Sequence, residues 1–120
     1  MNSRIVALDH VQLAMPAGRE AAADAFYRDL LGFEVEEKPP HLAVRGGRWY
    51  ARDAVRVHLG VEGEFRPARK AHPALLVEGL AELASALATA GHEPQWEGED
   101  QCYVDDPFGN RIELLRATDS

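Results

Sequence analysis

The sequence predicts an α+β fold built from two βαβββ modules. Three observations predict it. Each half opens with a short strand that runs into a single amphipathic helix. Each helix stops at a glycine, Gly32 or Gly91, where a left-handed residue suits the C-terminal cap. Each of these glycines is followed by three short strand-like runs bounded by turn residues. Laying Gly32 on Gly91 aligns the halves, with module one over about 4–62 and module two over about 69–117.

From Val11 the chain alternates. Val11, Leu13 and Met15 share one face, and His10, Gln12 and Ala14 share the other, as in a half-buried strand. Over 17–31, Ala22, Phe26 and Leu30, with Ala23, Tyr27 and Leu31, recur at helical spacing. Phe33 to Glu36 reads as a strand, ended by Pro39 and Pro40. Strands follow at about 48–52 and 55–61, joined by a tight turn near Asp53. In the second half, a strand over 71–77 precedes a helix over 79–90. Leu80, Leu83, Ala84, Leu87 and Ala88 form the buried stripe of that helix. A short strand near 94–96 is followed by a hairpin of 102–104 with 111–115. Asp105 to Asn110 makes its turn, with Pro107 after Asp106 and Gly109 before Asn110.

Composition bounds the function classes. The 120 residues suit one domain, and 46% hydrophobic with 28% charged residues suits a globular chain. The longest apolar runs fall far short of a bilayer span. Ile5 to Leu8 is too short for the apolar stretch of a signal peptide, so a reducing cytoplasm is the expected compartment. One cysteine, Cys102, excludes an intrachain disulfide and a Cys-rich zinc site. The net charge of −7 argues against nucleic acid and anionic membranes as main partners.

Four side chains stand out as candidate chemistry: His10, His58, His72 and Glu113. The repeat sets His10 opposite His72, near the first strand of each half, and His58 opposite Glu113, on the last. If the two sheets face each other, the four converge. Three imidazoles and a carboxylate suit Zn²⁺, Ni²⁺, Co²⁺, Mn²⁺ or Fe²⁺ and leave positions for water and substrate. A histidine or glutamate on a strand is more commonly a hydrogen-bonded or solvent-facing residue, and no short-range ligand signature of the H-E-x-x-H kind accompanies these four.

The strings Leu8-Asp9-His10-Val11, Phe26-Tyr27-Arg28-Asp29-Leu30-Leu31-Gly32-Phe33 and Asp106-Pro107-Phe108-Gly109-Asn110-Arg111-Ile112-Glu113-Leu114 resemble the vicinal oxygen chelate superfamily. That group contains glyoxalase I, bleomycin-resistance proteins and extradiol dioxygenases. The resemblance spans nearly the whole chain and implies paired βαβββ modules whose sheets form a curved mixed-sheet cup around one divalent metal. Carried over residue by residue, it makes His10, His58, His72 and Glu113 the ligands, with His58 and Glu113 also catalytic. It implies a homodimer, often with His10 and His58 from one chain and His72 and Glu113 from the other; a site within one chain is the alternative. The chain departs from glyoxalase I at His58, where that enzyme has a carboxylate. An imidazole there could be a ligand or a base, hardly both. His10, His72 and Glu113 alone resemble the two-histidine, one-carboxylate sets of extradiol dioxygenases and fosfomycin-type thiol transferases. Ring-cleaving members are commonly longer chains.

The function implied is therefore a metal-dependent lyase, isomerase or thiol transferase acting on a small oxygen-chelating substrate. Metal-free ligand binding or drug sequestration, as in bleomycin-resistance members, is the competing expectation, and a retained fold without activity is a third. Arg66, Arg69 and Lys70 cluster before the strand of His72. Arg66 and Arg69 are candidates for holding an anionic group of the substrate, although such clusters are more often solvated loops. The resemblance places Tyr103 toward the substrate, and simple strand packing is its alternative. Arg56 and Arg111 share faces with His58 and Glu113 by alternation. One of Trp49 and Tyr50 should face the cup, and Cys102 could be a thiol within it.

Overall fold

The computed structural model describes residues 2–118. Its strands are β1 (Val11–Met15), β2 (Glu34–Glu36), β3 (Arg48–Arg52), β4 (Val55–Val61), β5 (Ala74–Val77), β6 (Gln95–Trp96), β7 (Gln101–Asp105) and β8 (Arg111–Arg116). Its helices are α1 (Glu20–Ala23), which continues as π-helical turns over Asp24–Leu30, α2 (Pro40–Ala43) and α3 (Leu80–Thr89). Among the described residues no helix is long and apolar enough to cross a membrane.

The two halves make two four-stranded mixed sheets, ordered β1-β4-β3-β2 and β5-β8-β7-β6. In each, the first strand runs parallel to the last, and the remaining pairs are antiparallel. The expected βαβββ repeat is thus present in both halves. Gly32 and Gly91 both take positive φ, at 83° and 95°, as the helix stops require. Asp53 turns the β3–β4 hairpin at φ 54°, a conformation that aspartate tolerates better than most residues.

Two local details differ from expectation. Pro39 and Pro40 do more than end β2: Pro40 opens α2, where its missing N–H costs nothing. The first helix widens into π turns after Ala23, with Leu31 N–H donating to Phe26 O at 3.0 Å.

Strand alternation gives each sheet one apolar and one polar face. Leu13, Met15, Tyr50, Val57 and Leu59 from the first sheet are buried with Cys102, Val104, Ile112 and Leu114 from the second. Phe26, Tyr27, Leu80 and Leu87 from the helices belong to the same cluster, so one core joins both halves. Cys102 therefore faces the core rather than a cup, and burial pushes its thiol pKa up. The opposite faces of the sheets are left to carry chemistry.

Candidate functional site

On the first sheet, β4 places His58 directly between Gln12 of β1 and Trp49 of β3. His10 sits one residue before β1 on the same face, because side chains two apart point the same way. The rings of His10 and His58 stack with centroids 4.1 Å apart, and those of Trp49 and His58 stack at 4.6 Å. Trp49 is thus the residue of the Trp49–Tyr50 pair that takes the polar face, while Tyr50 is fully buried in the core. His10 Nδ1 lies 2.8 Å from Asp9 Oδ2, which makes Nδ1 the donor and, in the neutral ring, leaves the lone pair on Nε2. Arg56 pairs with the other Asp9 oxygen at 3.6 Å. The His10 hydrogen bond, reinforced by Arg56, holds the Asp9 carboxyl below its ordinary range.

His58 is 7% exposed, and its Nε2 is buried without a hydrogen-bond partner among the described residues. Burial is the first cause of its lowered pKa, and His10 is the second; Arg56 acts the same way, whereas Glu36 and Asp9 oppose it. The imidazole is therefore held neutral. In the unfolded chain it titrates near about 6.5. Below that pH the unfolded chain takes up this proton more readily, so folded stability falls as the pH drops through that value toward the lower folded one. His58→Gln should flatten this acid-side loss. Urea denaturation of metal-free protein at several pH values measures it; identical pH profiles for variant and wild type would contradict the assignment.

On the second sheet, His72 precedes β5 and reaches Glu113 of β8, with Nε2 2.8 Å from Oε1. His72 Nδ1 lies 2.9 Å from Lys70 O. Lys70 O can only accept, so Nδ1 carries a proton, and in the neutral ring Nε2 is a bare lone pair. A lone pair and a carboxylate oxygen then face each other at hydrogen-bond distance. That arrangement is favourable only with a proton or a cation between them. The second Glu113 oxygen accepts from Gln101 Nε2 at 2.8 Å, and Gln101 also donates to Tyr103 OH at 3.2 Å. The Tyr103 proton is thereby left to point elsewhere. The His72 ring stands edge-on to Tyr103, at 5.7 Å between centroids.

Of the candidate residues, the chain brings together His10 with His58 and, separately, His72 with Glu113 and Tyr103. Among the described residues, no three His, Cys, Asp or Glu side chains are placed to hold one metal ion. Arg69 donates to Asp105 Oδ1 at 2.7 Å and to Gly109 O at 2.8 Å, which commits it to the β7–β8 turn. Arg66 is exposed on the preceding loop. Asp9, Gln101 and the Lys70 carbonyl were not singled out from the sequence. Gln101 was within reach, since alternation sets it on the face of Tyr103. The Lys70 carbonyl carries no sequence signal.

The sequence pattern of the Glyoxalase-like domain family matches residues 11–115. A glyoxalase family protein from Bacillus anthracis is 40% identical, with a TM-score of 0.90, over 98% of this chain and all of that one. The fosfomycin resistance protein FosX from Listeria monocytogenes shares the fold, with a TM-score of 0.74 at 16% identity over 96% of this chain and 94% of that one. A virulence protein from Salmonella typhimurium does so with a TM-score of 0.72 at 19% identity over 97% and 100%. No curated protein matches the chain. The chain belongs to the Glyoxalase-like domain family, within the vicinal oxygen chelate superfamily.

Proposed function

We propose that this protein is a divalent-metal enzyme whose centre is completed by two chains, His10 coming from one protomer and His72 and Glu113 from its partner. One observation carries the reading. The His72 Nε2 lone pair and the Glu113 carboxylate face each other at 2.8 Å, with Nδ1 tied to Lys70 O. Two ligands of one ion, each about 2.1 Å from it, fit that separation. His10 repeats the device, its Nδ1 tied to Asp9 and its Nε2 free.

Sharing between chains is supported by shape. The chain measures 44 × 43 × 26 Å with a radius of gyration of 15.1 Å, against about 13.6 Å for a compact chain of this length. Ile5, Val6 and Leu8 are 97%, 80% and 77% exposed. β1 and β5 end their sheets with one edge unpaired. A groove of about 770 Å³ lies beside them, with Val11, Val57, Leu75 and Leu114 in its wall. Unpaired strand edges and apolar arms of this kind are ordinarily covered.

The stacked rings support a separate part for His58. Two nearly parallel rings 4.1 Å apart do not aim in-plane lone pairs at one ion. His58 is accordingly a neutral neighbour of the centre, able to take a substrate proton, rather than a fourth ligand. A bound ion would supply a Lewis acid for two substrate oxygens and stabilise charge that develops on them. Tyr103 offers its hydroxyl proton to the substrate, while Gln101 holds both Tyr103 and Glu113 in place. The reaction class that fits is proton transfer, elimination or thiol addition next to a chelated oxygen pair.

Mixing tests the shared centre. His10→Ala and His72→Ala chains should each fail to bind Mn²⁺ or Ni²⁺ at stoichiometric level. After co-refolding at equal amounts, half of the dimers are mixed, and each mixed dimer has one intact centre. Metal content should then recover to about a quarter of the wild-type value. No recovery would sink the shared arrangement. Undiminished uptake by both single variants would rule out His10 and His72 as ligands, and no stoichiometric uptake by the wild type would sink the metal reading and leave metal-free ligand binding in its place.

A further inference from the structure

Arg111 lies on β8 two residues before Glu113, so both side chains leave the sheet on one face, roughly 7 Å apart along the strand. Its guanidinium sits over the Tyr103 ring, 4.0 Å from the centroid. The residue directly across from it is Asp105, and opposite charges so placed ordinarily pair. Here they do not, because Arg69 takes the Asp105 carboxylate at 2.7 Å. The next acid along the strand, Glu113, has both oxygens engaged by His72 and Gln101. Arg111 is left without an ion pair or a side-chain hydrogen bond among the described residues.

Stacking on an aromatic ring fixes the plane of a guanidinium while its N–H edge stays free. That edge borders a cavity of about 330 Å³ lined also by Tyr103, Gln95 and Arg69. Three acids belong to the same wall. Asp105 is neutralised by Arg69, and Glu93 is exposed to solvent. The buried Asp106 is saturated by its own hydrogen bonds. Arg111 is thus a half-buried cation with an ordered plane, open donors and no ion-pair partner among the described residues.

We infer that Arg111 recognises an oxyanion on the substrate, a carboxylate or a phosphonate, and that Tyr103 serves as its fixed platform. The inference rests on the proposal that the Glu113 face is the substrate site. It also moves the anion-binding role from Arg66 and Arg69, where the sequence suggested it, to a residue on the sheet itself. A carboxylate and a phosphonate each present two oxygens that accept two parallel N–H bonds from such an edge, so recognition should depend on the guanidinium and not on charge alone.

Titration of full-length, metal-free protein with methylphosphonate and, separately, acetate tests this, with the Arg111 Nε–H resonance as readout in the wild type and the backbone amide resonances of β7 and β8 as readout in wild type and variants alike. A saturable shift at Arg111 is expected for at least one probe, and the tighter of the two names the oxyanion. Arg111→Gln should weaken that binding at least about tenfold, and Arg111→Lys should restore only part of it. Both variants should still take up metal, which checks their folding. An unmoved Arg111 resonance, or equal affinity in Arg111→Gln, overturns the inference. Metal uptake that survives Glu113→Gln would instead overturn the metal reading while leaving the Arg111 titration to stand or fall on its own resonance.

Discussion

Glu113→Gln should lower Mn²⁺ and Ni²⁺ affinity at least about 100-fold, more than the loss typical of a residue one shell out. The substitution preserves volume and removes only charge and one acceptor. In the native chain one Glu113 oxygen faces His72 Nε2 at 2.8 Å and the other accepts from Gln101 at 2.8 Å. A glutamine can keep both contacts, its amide N–H donating to His72 Nε2 and its carbonyl accepting from Gln101, but it cannot neutralise a dication, so the loss reads the ligand charge and not the geometry. Gln101→Ala should cost less, about tenfold, because it frees Glu113 to rotate without removing a ligand. Titration calorimetry on both variants, with circular dichroism as the folding check, decides. If Glu113→Gln binds metal as tightly as wild type, Glu113 is no ligand, and the 2.8 Å contact is an ordinary imidazolium–carboxylate ion pair.

The fold was legible in the sequence because period and punctuation agreed in both halves. Gly32 and Gly91 marked equivalent helix ends, and the strands around them emerged within a few residues of their observed limits. α2 escaped because Pro39 and Pro40 read equally well as a strand stop. The candidate site was legible only as residue types on faces. Alternation assigned His58, Glu113 and Arg111 to the polar sides of their strands, and the family resemblance did so for Tyr103. It could not say that His58 would be clamped between His10 and Trp49. Nor could it say that Arg69 would be drawn off to Asp105, since that pairing spans 36 residues. Whether four donors form one set or two pairs depends on how sheets assemble, and that lies beyond any local pattern.

Asp106→Ala should destabilise the chain by about 3–5 kcal/mol, the range for leaving buried charged-group partners unpaired. Asp106 is 3% exposed, and its carboxylate accepts four hydrogen bonds. They come from Tyr27 OH at 2.6 Å, Asn110 Nδ2 at 2.9 Å, and the Phe108 and Asn110 backbone N–H groups, each at 2.9 Å. Asn110 extends the network by donating to Ala14 O at the end of β1 and accepting from Ala68 N–H ahead of β5. The two sequence strings most specific for the superfamily, around Tyr27 and around Asp106, are therefore one buried network that fastens the first half to the second. Burial, then the adjacent Asp106 charge, push the Tyr27 phenol up, so it stays a donor throughout the physiological range. Tyr27→Phe removes one donor and leaves the turn intact, so it should cost only about 1–2 kcal/mol. Asp106→Ala also strands two backbone N–H groups and Asn110. A double-mutant cycle by urea denaturation should give a Tyr27–Asp106 coupling of about 1 kcal/mol or more. If Asp106→Ala loses less than about 1 kcal/mol, the network is decorative, and the shared apolar core alone holds the halves together.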